Sequence, residues 1–422
     1  MKKEIIVMML GARMHYAIPL ILRSNERLGC FFTDYYRKKT PVTWSEWCIE
    51  KIISMSKGKI EIVNRMSLRR SDQLPDEKII SYPLYSILYV VGLKLLKTHY
   101  YSRVAFCLFG SLFARLVAKK IASKAVILYG YDCASLEAFQ VNKRNGGINI
   151  YEQTILPYQL EHSLMRNEFT KYRKYTKEKI GRYHEGSSAR LWNEWGLADI
   201  IIVGSEFVKE GMIRLGVSAS KIKVVPYGVK STKVEGFAER VYQSKKSHVL
   251  NILFVGEVGL RKGAISLIEA LRSIESKYNF KVDFVGRVAI CDKYIKSLSS
   301  RFEFHGKVNR ETVKIFYSNA DIFVLPSVVE GSATVTYEAL SVGLPVMATL
   351  NSGSVVQDGV DGIVIKESSV QEIRNAIVKV LENRKLLDQF RENIRLSRYK
   401  VSFERYERDI ANIIDEIQYV SP

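Results

Sequence analysis

Paired cysteines and metal-ligand spacings are both missing from this sequence. Its five cysteines (Cys30, Cys48, Cys107, Cys133, Cys291) form no C-x-x-C pair. An odd, scattered set in a chain of 422 residues suits reduced thiols and a cytoplasmic compartment. The six histidines show no H-E-x-x-H, and there is no D-x-D; neither a metal nor a separate cofactor is expected. Proline is scarce, at nine residues, and no Ser/Gly-rich run appears, which argues against long flexible linkers. Long apolar runs are absent as well. The longest stretch, Ile79 to Leu96, is broken by Ser81, Pro83, Ser86, Gly92 and Lys94, whereas a spanning helix needs about 20 mostly apolar residues. It reads as a buried or interfacial segment. At the N-terminus, Ile5–Leu10 is too short for a signal sequence and no A-x-A site follows, so a first β-strand is expected.

What is present is an ordinary globular composition, 47% hydrophobic, carrying a large positive charge of +20. Of that, +17 lies in residues 1–240 and only +3 in the remainder. A basic first half suits anionic lipid, nucleic acid or a charged acceptor, or is a solvated face that keeps the protein soluble. No nucleic-acid module is recognisable, so nucleic acid is not expected as a partner. Tyrosines beside cations, as in Lys171-Tyr172-Arg173-Lys174-Tyr175, suit an interface. The expectation is an anionic membrane surface, with peripheral placement on the inner face of the plasma membrane.

The order of apolar runs predicts an α/β fold. Strands are expected at Ile5–Leu10, Lys124–Leu128, Ile200–Val203 and Lys221–Val225, with helices at Ala17–Leu28 and, capped by Ser205, at Phe207–Leu215. Residues 229–248 are polar and aperiodic. The pattern then restarts with strands at Leu250–Val255, Val282–Val285, Phe302–His305, Ile322–Leu325 and Val346–Ala348. Helices are expected at Ala264–Tyr278, Arg310–Ser318 and Thr334–Val342. Two doubly wound domains follow, 1–235 and 245–398, with an amphipathic helix in 402–422 packing back on the first. Ligands of open α/β sheets bind beyond the carboxyl ends of the strands, so the chemistry belongs on loops that follow strands.

Two such loops carry candidate residues. Phe254-Val255-Gly256-Glu257-Val258-Gly259-Leu260-Arg261-Lys262-Gly263 runs from a strand through a glycine turn to two adjacent cations that suit a diphosphate. It is neither a P-loop nor G-x-G-x-x-G, and solvated cations at a helix start are its bland reading. The stretch from Leu325 to Leu340 ends a strand, passes Glu330, and starts a helix near Ala333–Thr334. Free N–H groups at such a helix start form an anion site. Glu338, one turn into the helix, can accept paired hydrogen bonds from vicinal hydroxyls, or simply form a surface ion pair. Glu330 can likewise do no more than favour the helix's positive end.

These elements in this order, followed by Ala339-Leu340-Ser341-Val342-Gly343-Leu344-Pro345-Val346, resemble glycosyltransferase family 4. Upstream, Ala198–Ser205 and Lys223–Val229 resemble the end of that family's first domain. The resemblance covers roughly residues 195–365 and is weak before 190. It implies a GT-B fold, with two Rossmann-like domains facing across a cleft, and a retaining hexosyltransferase using a nucleoside-diphosphate sugar. The acceptor would be a glycan, a lipid-linked molecule or another hydroxyl compound, in cell-surface polysaccharide or glycolipid biosynthesis.

Carried over by position, the resemblance implies that Arg261 and Lys262 stabilise the leaving diphosphate, while Glu330 holds sugar hydroxyls and Glu338 the ribose. The backbone of Gly256 and of Ser332, Ala333 and Thr334 would face the phosphates, Val308 the base, and Gly11 the donor. Departures are visible. Glu257 stands where many members carry Arg, and Ala12 where a second glycine is usual. Pro157 falls at the place of a first-domain histidine, leaving His162 and His15 as acceptor-side candidates. An epimerase of the same fold, or a basic membrane-binding protein with a degenerate nucleotide domain, are the alternative readings.

Overall fold

Strands of a parallel sheet covered on both faces read as unbroken apolar runs; Ile5–Met9 (IIVMM) and Ile322–Leu325 (IFVL) are two such runs. The computed structural model describes residues 4–39, 44, 47, 51, 68–95, 99–230 and 249–420. The first unit contains β1 (Ile5–Met9), α1 (Ala17–Ser24), β2 (Leu28–Thr33), β3 (Ile79–Ser81), α2 (Pro83–Leu95), α3 (His99–Lys120) and β4 (Ile127–Tyr131). It continues with α4 (Leu136–Arg144), β5 (Ile148–Gln153), α5 (Tyr158–Tyr172), α6 (Glu185–Leu197), β6 (Ile200–Val203), α7 (Glu206–Arg214) and β7 (Ile222–Val224). The second unit contains β8 (Leu250–Val255), α8 (Ala264–Arg272), β9 (Phe280–Val285), α9 (Asp292–Ile295), β10 (Phe302–Gly306), α10 (Arg310–Asn319) and β11 (Ile322–Leu325). After it come α11 (Thr334–Ser341), β12 (Val346–Thr349), β13 (Gly362–Ile365), α12 (Val370–Glu382), α13 (Lys385–Ser397) and α14 (Phe403–Val420).

The strands pair in parallel into two sheets, ordered β3-β2-β1-β4-β5-β6-β7 and β10-β9-β8-β11-β12-β13. Strand order reverses between β1 and β4 in the first sheet and between β8 and β11 in the second. Such switch points open a crevice at the strand ends. They put the loops after β1, β4, β8 and β11 in line for function.

Helix α14 returns the chain to the first unit. Tyr406, Ile410, Ile413, Ile414 and Ile417 recur at helical spacing and are buried in the first unit's core beside Ile18, Ile21 and Leu22 of α1. Lys223–Glu416 (2.8 Å) and the Arg27–Asp415 pair fasten its outer side.

Several expected elements shift. The helix expected over Ala17–Leu28 ends at Ser24, because Asn25 and Glu26 turn the chain, Glu26 with φ of 57°, and Leu28 begins β2. The strand expected at Lys124–Leu128 lies at Ile127–Tyr131, since the Lys124 N–H is engaged with the Ile121 carbonyl in the turn leaving α3. The stretch Ile79–Leu96 splits at Pro83 into β3 and α2. Among the described residues no helix is long and apolar enough to cross a membrane. The polar boundary expected at 229–248 falls, from 231 on, outside the described residues.

Candidate active site at the cleft between the two sheets

The second unit supplies one wall of the cleft. Its loop after β8 is locked onto the loop after β11. A Cβ on Gly263 (φ 68°) would lie 1.9 Å from the Pro326 carbonyl oxygen, so only glycine permits this approach. The Val328 N–H donates to the Arg261 carbonyl (2.9 Å). Gly256 (φ 137°) has the Lys262 stem lying against it, with Cδ 2.6 Å from where a Cβ would stand. This interlock brings both cations to one carboxylate. Lys262 Nζ lies 2.8 Å from Glu330 Oε1, and the Arg261 guanidinium bonds the same oxygen. Burial lowers the Lys262 pKa, and the Glu330 charge opposes that shift.

Helix α11 starts beside them. The Ala333 N–H donates to the Ser352 carbonyl (3.0 Å); this removes it from the amides expected to meet phosphate, because a backbone N–H already bonded inside the protein is not free for a ligand. The Ser332 hydroxyl is shared with the Tyr337 hydroxyl (2.6 Å). Thr334 opens the helix. On its second turn Glu338 accepts from the Tyr317 hydroxyl (3.0 Å). Burial pushes the Glu338 carboxyl up, against the stabilising Tyr317 bond and the nearby Arg310 charge. Val308 packs part-buried on the second unit's core.

The first unit supplies the other wall. The Gly11 N–H is taken by Asp34 Oδ1 (2.8 Å), which holds the turn after β1 in place and commits that amide within the protein. Met14, His15 and Tyr16 then follow with φ of 47°, 53° and 65°. Three successive left-handed residues without glycine are costly and concentrate where geometry is imposed by function. Arg13 closes a small network here: it donates to Thr154 Oγ1 (2.8 Å) and lies 3.3 Å from Asp132, to which Thr154 also donates (2.8 Å). His15 reaches across to the Arg310 guanidinium of the second unit. Burial and Arg310 together lower the His15 pKa.

Between the walls lies a cavity of about 740 Å³, lined by Arg13, Arg103, Asp132, Glu161 and His162 from one side and by Arg261 from the other. His162 Nε2 donates to the Gly181 carbonyl (2.9 Å), and its ring meets Tyr158 and Tyr183 edge-on at 5.8 and 5.5 Å. It is built into the wall. Pro157, at the expected histidine place, caps α5 instead. Glu257, the departure from the expected cation, also borders the cavity, and its carboxylate is held by Arg287 (Nε 2.8 Å).

Sequence reading missed Arg13, Arg103, Asp132 and Glu161. Asp132 follows a strand at a switch point and was findable on that ground; Arg103, in the middle of a helix, carries no such signal. Burial pushes the Glu161 carboxyl up, against the charges of Arg103 and Arg261. Among the described residues one trio, Asp283, Glu303 and His305, brings potential metal ligands within 4.8 Å of one another. His305 already bonds Asp283 (2.7 Å) and Lys281 pairs with Glu303 (3.0 Å), and none of these lines the cavity.

Two Rossmann-like units with parallel sheets, their switch points meeting at one cleft, make the GT-B fold. Residues 238–397 match the family model described as "Glycosyl transferases group 1". The chain is 31% identical over 166 residues to an uncharacterised glycosyltransferase of Methanocaldococcus jannaschii, covering 37% of this chain and 41% of that one. It is 26% identical over 200 residues to the amylovoran biosynthesis glycosyltransferase AmsK of Erwinia amylovora, covering 43% and 47%. The chain spans about half the length of the curated relatives it matches. Anabaena Alr3699/HepE, solved in complex with UDP and glucose, superposes with a TM-score of 0.58 at 14% identity, over 98% of this chain and 100% of that one. The apo form of the lipopolysaccharide outer core galactosyltransferase WaaB gives 0.58 at 14% identity, over 98% and 99%.

Proposed function

We propose that this chain is a retaining glycosyltransferase that moves a hexose from a nucleoside-diphosphate sugar to a hydroxyl acceptor, a glycan or a lipid-linked molecule, in cell-surface polysaccharide biosynthesis. The observation that carries this reading is the convergence on Glu330 of Lys262 and of Arg261, which lines the cavity. In glycosyl transfer the bond to the diphosphate breaks ahead of bond formation to the acceptor, and negative charge grows on the departing phosphate oxygens. Two cations held beside the departing phosphate stabilise that charge. In this reading Glu330 holds them in place until the donor arrives, then accepts from sugar hydroxyls as the cations turn to the phosphate. Glu338 accepts from the ribose, Val308 flanks the base, and the amides near Ser332 and Thr334 meet the phosphates. Arg261 and Lys262 supply the positive charge, so no metal ion takes part. The acceptor enters the cavity beside Asp132 and Glu161, and its hydroxyl proton passes to the leaving phosphate. The reduced-thiol pattern and the basic first half support placing the reaction on the cytoplasmic side of a membrane.

The Anabaena structure's UDP and glucose and the amylovoran-biosynthesis role in the name of the Erwinia relative support the donor and pathway class. The test is calorimetric titration with UDP and with GDP, followed by a sugar-nucleotide panel read by release of nucleoside diphosphate. Failure to bind either diphosphate sinks the proposal. A second reading, an epimerase of the same fold, gains from Asp132 and Glu161 sharing one cavity, since epimerisation needs acid and base groups there. Proton NMR of the incubated donor separates the two: a new sugar nucleotide, with no free diphosphate beyond the minor amount an intermediate would leave, selects the epimerase.

A further inference from the structure

Helices α2 and α3 pack as an antiparallel pair along an aromatic seam. Tyr85 meets Phe109 and Phe113 at 5.9 and 6.0 Å, and Tyr89 meets Phe109 at 5.2 Å. The Tyr85 hydroxyl also donates to the Phe109 carbonyl (2.7 Å). The residues following Tyr85, Phe109 and Phe113 point into the protein. Ser86 bonds Asp34 (3.1 Å), Ala114 is fully buried, and a Cβ on Gly110 would stand 2.1 Å from the Cys133 carbonyl oxygen.

The residue preceding each seam residue is turned about 100° the other way around its helix. In an antiparallel pair those two rotations carry both residues to one side. The four that precede Tyr85, Tyr89, Phe109 and Phe113 are all leucine, and all face solvent: Leu84, Leu88, Leu108 and Leu112 are 58%, 64%, 60% and 49% exposed. On α3 the stripe continues at helical spacing with exposed Arg115 and Lys119. Neither helix contains a single Asp or Glu.

We propose that this face of the α2–α3 pair seats the protein on an anionic lipid bilayer. The four leucines enter the boundary between headgroups and acyl chains, while Arg115 and Lys119 meet lipid phosphates. The absence of carboxylates from both helices and the excess of +17 in residues 1–240 favour an anionic surface over a second copy of the same basic face. Helix α3 also lines the cavity with Arg103 and Phe106. Arg103 precedes Leu108 by five residues, about 7.5 Å along the axis, so docking by the leucines brings the cavity to the bilayer surface. Membrane docking stands independently of the transferase reading; only the benefit to a lipid-linked acceptor rests on it.

The experiment is co-sedimentation of the full chain with phosphatidylcholine vesicles, with and without 30% phosphatidylglycerol (about one lipid in three, enough for a strong surface potential). Binding is expected to the anionic vesicles and to fall at least about tenfold in L88S/L108S, given the apolar area withdrawn. At least as large a loss is expected in R115E/K119E, where two charges drawn to the anionic surface reverse sign. The variants alter only exposed side chains, and an unchanged melting temperature checks their folding. Binding that is equal on neutral vesicles, or that neither variant weakens, overturns the proposal. So does a dimer by light scattering that L88S/L108S converts to monomer, which makes a second copy the occupant. Nucleoside diphosphate binding, measured in parallel, must be unaffected.

Discussion

Lys262 and Arg261 reach the same oxygen of Glu330, whereas across the cleft the Arg103 Nε is buried without a hydrogen-bond partner and its guanidinium lies over the Tyr158 ring at 4.5 Å. The contrast runs further. On the second unit's wall Glu257 has Arg287 and Glu338 has Tyr317. On the first unit's wall Arg13, Asp132 and Thr154 close a network, but Arg103 keeps unmet bonding capacity. A self-paired wall holds its shape without ligand and exchanges partners when one arrives. A wall with an unmet buried donor costs free energy until something fills it. The first arrangement suits a diphosphate common to many reactions, and the second an acceptor whose own groups complete the site.

The largest effects are expected on the self-paired wall. Lys262→Ala removes one of two cations from the departing phosphate, so turnover should fall about 10²–10³-fold, with acceptor KM nearly unchanged. Arg261→Ala should behave alike. A steady-state assay of released diphosphate measures both. If either variant retains more than a third of wild-type turnover, the pair is not stabilising the leaving group and the contrast between the walls loses its meaning. Glu330→Gln separates the roles of this carboxylate: it weakens the clamp on both cations while keeping a hydroxyl acceptor.

Glu338→Ala is expected next, with donor dissociation constants raised about tenfold, the worth of a charge-assisted hydrogen bond. Its raised pKa gives this site a pH signature. In its proposed role the carboxylate accepts from the ribose, and burial favours its neutral form, so donor affinity should weaken on acidification from a higher pH than an ordinary Glu would give. The sign follows because lowering pH protonates the acceptor oxygen. Calorimetry with UDP between about pH 4 and about pH 7.5 checks it (a span from just below the ordinary Glu pKa of about 4.3 to well above it), and Glu338→Ala should retain only the dependence that the terminal phosphate of UDP, with a pKa of about 6, brings by itself.

The two walls also differ in how far the sequence reveals them. Arg261, Lys262, Glu330 and Glu338 sit on short loops directly after apolar strands, where local chain geometry alone brings them to a switch point. The β8–α8 and β11–α11 elements were legible for the same reason, although α8 stops at Arg272, short of the expected Tyr278. The first wall is assembled from distant segments: Arg13, Arg103, Asp132 and Glu161 come from four separate elements. Arg103 reaches the cavity from α3, which packs closely through Gly110 against Cys133. Strands β2 and β5 escaped too, since LGCFFT and INIYEQ mix small and polar residues into the run. Long-range packing decided them. The Glu330 clamp itself, two cations on one oxygen, was not readable from residue types, which placed the three groups nearby without saying that they bond one another.

A medium effect tests the first wall. Arg103→Ala should raise acceptor KM roughly tenfold, the range for losing a charged hydrogen bond, while donor binding and slow donor hydrolysis stay as in wild type. Arg103→Lys, which keeps the charge but loses the planar fork, should recover only part of that loss. An equal fall in donor affinity would mean that Arg103 serves both walls, and the division of labour proposed for them would have to be given up.

The smallest effect is expected at His162, the residue that sequence reading offered as an acceptor-side candidate. Its Nε2 hydrogen is committed to the Gly181 carbonyl, and its ring rests edge-on against the stacked Tyr158 and Tyr183. A histidine acting as general acid or base here would have to use its other nitrogen, Nδ1, and losing such a group typically costs about 10²–10⁴-fold. A wall histidine instead contributes one hydrogen bond, about 1 kcal/mol. His162→Gln, whose amide can still donate to Gly181, should therefore stay within about threefold of wild-type kcat/KM, and the melting temperature should drop by no more than about 3 °C. His162→Ala should lower it further without a matching loss of turnover. Should His162→Gln lose a hundredfold in kcat and flatten the acidic limb of the pH profile, the histidine acts in the chemistry, and the first wall is catalytic as well as selective.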